Sequence, residues 1–116
     1  MADVIPTGAD VSFIEIGVAD ASKSRAFLEQ MFGWEFHPFG EGAEGWFQTP
    51  SVKAGIHGGD PNWGVLVYFG VPHLEAAIAD VKRLGGTADP PTDEPGFGRF
   101  CICHDSQGLR FGLHQR

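Results

Sequence analysis

Six side chains of this sequence have the types and spacing to do chemistry together: Glu15, Lys53, His57, Tyr68, Arg110 and His114. A carboxylate or an imidazole can accept and return a proton near neutral pH. A lysine or arginine can hold an oxyanion, and a phenol can donate a hydrogen bond. Each also has a plainer use. Glu15 could pair with Lys53 or Arg110, or meet a ligand, or act as a general base. The two histidines could be solvated strand ends, polar contacts or metal ligands. Tyr68 could be a packed aromatic with one wet end, or a proton donor.

Spacing is what joins the six. "KAGIH" at 53–57 and "RFGLH" at 110–114 are near echoes. In an extended chain successive side chains alternate between faces. Lys53, Gly55 and His57 therefore share one face, and Arg110, Gly112 and His114 share one. Ala54 with Ile56, and Phe111 with Leu113, fall on the opposite, apolar side, which Val52 and Leu109 extend. Glycine inside a strand packs nothing, so two at matching places imply a close approach by a ligand or by an opposing side chain.

The elements that must carry these residues repeat. "VSFIEIGV" (11–18) alternates, with Ser12, Ile14, Ile16 and Val18 on one face and Phe13 and Glu15 on the other. Asp20 can cap a helix whose stripe is Phe27, Leu28, Met31 and Phe32, and Gly33 can end it. "WEFHPF", "GWFQT" and "VKAGIH" read as three short strands. "GVLVYFGV" (64–71) then alternates again, with Val65, Val67, Phe69 and Val71 on the apolar face and Leu66 and Tyr68 opposite. Pro72 suits a first helical turn. Leu74, Ala77, Ile78, Val81 and Leu84 form the helical stripe, and "GG" at 85–86 ends it. A weak strand near Thr87–Ala88, then "FGRFCICH" and "LRFGLHQ", complete the second half. "GVAD" (17–20) lies over "GVPH" (70–73) at an offset of 53, and the final strands match at 57. The added residues are placed in the Pro-rich "DPPTDEPGFG" (89–98). The chain is thus one domain of α+β class, made of two tandem βαβββ modules with pseudo-twofold symmetry, at about 9–60 and 61–116.

Composition narrows the function. Fifteen acidic residues against eight basic ones give a formal charge of −7, which argues against nucleic acid and suits a cationic small ligand. No apolar run reaches the roughly 18–20 residues of a membrane helix, and no basic-then-apolar leader opens the chain. Cys101 and Cys103, two apart on a strand, read as buried structural thiols. A cytoplasmic location follows as an expectation. A chain of 116 residues is marginally stable alone, so a homodimer is expected. Trp34, Trp46 and Trp63 are core or dimer contacts by default, although Trp46 could wall a site and stack on a planar ligand. "GEGAEG" (40–45) and "GGDPNWG" (58–64) are loops without the lysine and helix start of a phosphate cradle. No serine sits in a nucleophile-elbow motif.

The tandem βαβββ order, "VAD…RAFLEQMFGW" early and "HDSQGLRFGL" late, resembles the vicinal oxygen chelate superfamily. That group includes glyoxalases, bleomycin resistance proteins and extradiol dioxygenases. Phe27-Leu28 stands where Phe-Tyr is common, and Ser106 where Pro is common. The resemblance implies sheets curled into a cleft, often completed by a second subunit. It also implies divalent-metal ligands at Phe13, Gly55, Leu66 and Gly112, none of which has a ligating side chain. The expectation is therefore a protein without metal or cofactor that binds a small organic molecule, aromatic or cationic, with drug sequestration as one version. The residues expected to line its cleft are Phe13, Glu15, Trp46, Lys53, His57, Leu66, Tyr68, Arg110 and His114. One alternative is a glyoxalase-, lyase- or isomerase-type enzyme with Glu15, His57 or His114 as base. Another is a non-catalytic interaction domain.

Overall fold

The computed structural model describes residues 8–61 and 64–116, so Trp63 lies outside the described residues. Two compact units emerge, Phe13–Val67 and a second that joins Tyr68–Arg116 to the chain up to Ser12. Among the described residues no helix is long and apolar enough to cross a membrane.

The Phe13–Val67 unit takes most of β1 (Val11–Gly17), then α1 (Ala21–Phe32), β2 (Glu35–Pro38), β3 (Gly45–Gln48) and β4 (Lys53–His57). β2 and β3 are antiparallel, β3 and β4 antiparallel, and β4 and β1 parallel. Ile14, Ile16, Ala54 and Ile56 meet Phe47 and Ala21 in one core, as the alternation requires. Asp20 caps α1 by accepting from the Lys23 N–H at 3.2 Å, and Gly33 ends it at φ +66°. Only glycine adopts that left-handed turn without strain.

The expected stripe of α1 is corrected by its exposure. Leu28 is half-buried, but Phe27 and Met31 are 66% and 63% exposed. The line that faces the sheet runs Ala21, Ser24, Arg25, Leu28, two of them polar and invisible to a hydrophobicity count. Arg25 lays its guanidinium 3.8 Å from the Phe36 ring centre and bonds Glu29 at 3.1 Å, so its stem packs while its head stays paired.

The second unit carries β5 (Gly64–Val71) from Tyr68 onward, α2 (Leu74–Arg83), β6 (Thr87–Ala88), β7 (Thr92–Glu94), β8 (Gly98–His104) and β9 (Arg110–Gln115). β5 and β9 are parallel, and β8 pairs antiparallel with β9, β6 and β7. The first unit's plan is therefore repeated, with β7 added. β7 gave no sequence signal because Thr92, Asp93 and Glu94 are all exposed and do not alternate. Leu74, Ile78, Cys101, Cys103 and Leu113 form this unit's core, with Phe69, Val71 and Phe111 against it.

Pro72 lies before the helix rather than in its first turn, and His73 is the N-cap residue. Its side chain makes no cap bond; the Gln115 amide oxygen instead accepts from the Leu74 N–H at 3.0 Å. Three expected core residues are exposed. Val65 stands near the start of β5, Leu84 follows the last helical residue, and Leu109 precedes β9, so each falls outside the paired or packed stretch. On β5 the Leu66 and Tyr68 face is the more buried one.

Candidate functional site

The two glycines of the echo hold the same place in their units. Gly55 lies opposite Glu15, and Gly112 lies opposite Tyr68. A Cβ at Gly55 would collide with Glu15 Oε1 and come within 2.9 Å of Phe13 Cζ. A Cβ at Gly112 would collide with the Tyr68 ring. Neither glycine has positive φ, so space and not backbone conformation excludes a side chain there. Of the two uses foreseen for these glycines, an opposing side chain is the one observed.

The two histidines are also equivalent, His57 opposite Gly17 and His114 opposite Gly70. The partners each finds within its own unit differ. His57 Nδ1 lies 2.6 Å from Glu15 Oε2, and its Nε2 lies 3.1 Å from Asp60 Oδ2. Ionised carboxylates only accept, so both contacts are hydrogen bonds when the ring is an imidazolium that donates from both nitrogens. Burial works against that charge, but the bonds to Glu15 and then Asp60 outweigh it and raise the His57 pKa above 6.5. Within its unit Glu15 is bonded to His57, a partner the sequence had not suggested. Asp60, in the loop after β4, is a member of this site that alternation could not find, because it lies outside any strand. Its signal was only its place three residues after His57.

His114 Nε2 lies 2.7 Å from the Phe97 carbonyl oxygen, and Nδ1 lies 3.1 Å from Ser12 Oγ. The Phe97 ring stacks on the imidazole with centroids 4.1 Å apart. Neither histidine is a solvated strand end.

Trp46 stacks on His37, with centroids 4.1 Å apart and planes 11° from parallel. Lys53 places Nζ 4.5 Å from the centre of the Trp46 ring. Phe13 is half-buried beside Gly55 and Glu15, and Leu66 is buried. Arg110 is exposed at the start of β9. In the second unit a pocket of about 350 Å³ opens between α2 and β9, lined by Val81, Leu84, Phe111 and Leu113 with Asp80 and Asp105 at its rim. It lies on the helix side of β9, away from the face that bears Tyr68. The backbone N–H groups of Leu109 and Gln107 bond the Asp105 carboxylate and lower its pKa, so Asp105 serves the turn before β9.

Cys101 and Cys103 are buried, their sulfurs 3.7 Å apart. Burial raises both thiols, Cys103 to about 12, which leaves them protonated and unreactive at neutral pH.

The metal site that the sequence resemblance implies does not fit these residues. Phe13 and Leu66 are apolar, and the space a ligand at 55 or 112 would need is taken by Glu15 and Tyr68. Among the described residues no group of three or more His, Cys, Asp or Glu side chains is placed to hold a metal ion.

No family model matches the sequence, and no curated protein matches it. Solved structures do. A hypothetical protein from Bacillus halodurans is similar over 95% of this chain and 96% of its own, at 12% identity and a TM-score of 0.76. Methylmalonyl-CoA epimerase from Mycobacterium tuberculosis is similar over 97% and 92%, at 14% identity and a TM-score of 0.73. A variant of the Streptomyces coelicolor epimerase in complex with 2-nitronate-propionyl-CoA is similar over 91% and 93%, at 18% identity and 0.68. The chain has the α+β fold of the vicinal oxygen chelate superfamily, as its sequence led one to expect.

Proposed function

We propose that this protein binds a small organic cation, aromatic in part, without a metal ion and without general-base chemistry at His57. The observation that carries this reading is the pair of bonds on His57, 2.6 Å to Glu15 and 3.1 Å to Asp60. A ring that donates from both nitrogens has no lone pair with which to take a proton. The Glu15 and Asp60 carboxylates stand on either side of this ring, and the chain as a whole carries a formal charge of −7, which favours a cationic ligand over an anionic one. Lys53 already sets an ammonium over the Trp46 ring, an attraction that a ligand cation could replace. Holding a molecule there unchanged is sequestration, the mode of the bleomycin resistance proteins that the sequence resembles.

The test is a titration with benzyltrimethylammonium and with a neutral compound of the same shape, followed by NMR at the Trp46 indole and His57 ring. The cation should give saturable shifts at both residues, at least about tenfold tighter than the neutral compound, since each factor of ten is about 1.4 kcal/mol. Glu15→Gln should weaken it similarly. Equal affinity for the two compounds, or no shift at Trp46, would contradict the reading.

A second reading draws on the epimerases of the same fold, in which case this chain would be an isomerase with Glu15 as the base. It requires Glu15 to exchange its His57 bond for a substrate proton.

A further inference from the structure

We propose that Ser12 and His114 form a nucleophile–base pair that can accept an acyl group from an activated ester. The pair lies wholly within the second unit, whereas Glu15 and His57 belong to the first. The argument begins at the Phe97 carbonyl, 2.7 Å from His114 Nε2. A carbonyl oxygen can only accept, so Nε2 carries the hydrogen. In the neutral imidazole the lone pair is then on Nδ1, and Nδ1 is the atom that faces Ser12 Oγ at 3.1 Å. The hydroxyl donates to it. The other acceptor near Ser12, the Tyr68 carbonyl, is more distant at 3.4 Å.

Three roles are therefore filled: a hydroxyl, a base aimed at its proton, and a group that fixes the base's tautomer. The third role, taken by an aspartate in the familiar triads, falls here to a main-chain carbonyl. Stacking on the Phe97 ring, at 4.1 Å and 6°, holds the imidazole plane in addition. Ser12 and His114 are both half-buried, so neither is sealed from a reagent. The sequence offered no elbow motif because the pair is built across strands, 102 residues apart.

The step balances without a further reactant. Ser12 Oγ bonds to the ester's carbonyl carbon as its proton passes to His114 Nδ1. The alcohol or phenol leaves with the electrons of the broken C–O bond and takes the proton from Nδ1. Water then adds to the acyl carbon, its proton going to Nδ1 and back to Ser12 Oγ as the carboxylic acid departs.

A fluorophosphonate probe tests this, since it bonds to an activated serine oxygen and expels fluoride. Peptide mass spectrometry of the native protein should find the adduct on Ser12, and none after unfolding in urea. His114→Phe keeps a ring to stack on Phe97 but removes the base, and labelling should fall about 100-fold or more. An adduct absent from Ser12 in the native protein, or formed equally fast in His114→Phe, would overturn the proposal. Where His114→Phe does not fold, the ¹⁵N shifts of the native His114 ring decide. A neutral ring protonated at Nε2 supports the pair, and one protonated at Nδ1 overturns it.

Discussion

Replacing Gly112 by alanine should destabilise the protein by about 3 kcal/mol, the upper part of the range for overpacking a filled interior. The added methyl would meet Cδ2, Cε2 and Cγ along one edge of the Tyr68 ring, which is buried and cannot swing aside. Urea unfolding of Gly112→Ala, Tyr68→Ala and the double variant checks the cause. Tyr68→Ala alone should cost about 3–5 kcal/mol as a large buried ring lost to a cavity. Once the ring is gone, adding Gly112→Ala should cost less than about 1 kcal/mol, so the two changes should couple by about 2 kcal/mol. Full additivity would show that Tyr68 is not what fills the space. Gly55→Ala should cost less than Gly112→Ala. The atom in its way that lies nearest is the end of a Glu15 side chain, which can turn at the expense of its bond to His57.

The second large effect belongs to His57. His57→Ala would leave the Glu15 and Asp60 carboxylates without the cation between them, at a cost of about 2 kcal/mol near pH 6. The effect should depend on pH in a definite direction. His57 gains two carboxylate partners on folding, so its pKa is higher folded than unfolded. Its contribution is complete below the unfolded value of about 6.5 and is lost as the pH rises through the higher folded value. The unfolding free energy of the wild type should therefore fall as the pH is raised from 6.5. The same series on His57→Ala should lack that fall. A parallel decline in the two proteins would place the titration elsewhere.

The fold was legible because period-two and helical patterns survive in strands and helices with one buried face. Ile14, Ile16, Ala54, Ile56, Phe111 and Leu113 all pack where alternation puts them. The same rule gave the face shared by Gly55 and His57, and that shared by Gly112 and His114. It could not give the partners, which lie on other elements. Asp60 reaches His57 from a loop, and Phe97 reaches His114 with a main-chain atom that has no sequence signal at all. Ser12 was read as part of an apolar face because its neighbours Ile14 and Ile16 are apolar, yet its hydroxyl bonds His114. On α1 the reverse error arose: Phe27 and Met31 suggested a buried stripe, while Ser24 and Arg25 stand on the side that packs. Hydrophobicity marks what can be buried, and packing decides which of the candidates is.

The proposed function is metal-free binding, and direct metal titration tests that most sharply. The protein should be stripped of metal and titrated with Ni²⁺, Zn²⁺, Mn²⁺ and Fe²⁺ in a calorimeter, with native mass spectrometry of each mixture. No ion should bind at one per chain, and any weak uptake should be the same in Glu15→Gln, His57→Ala and His114→Ala. Tight binding of one ion per chain, lost on changing any of those three residues, would contradict the account.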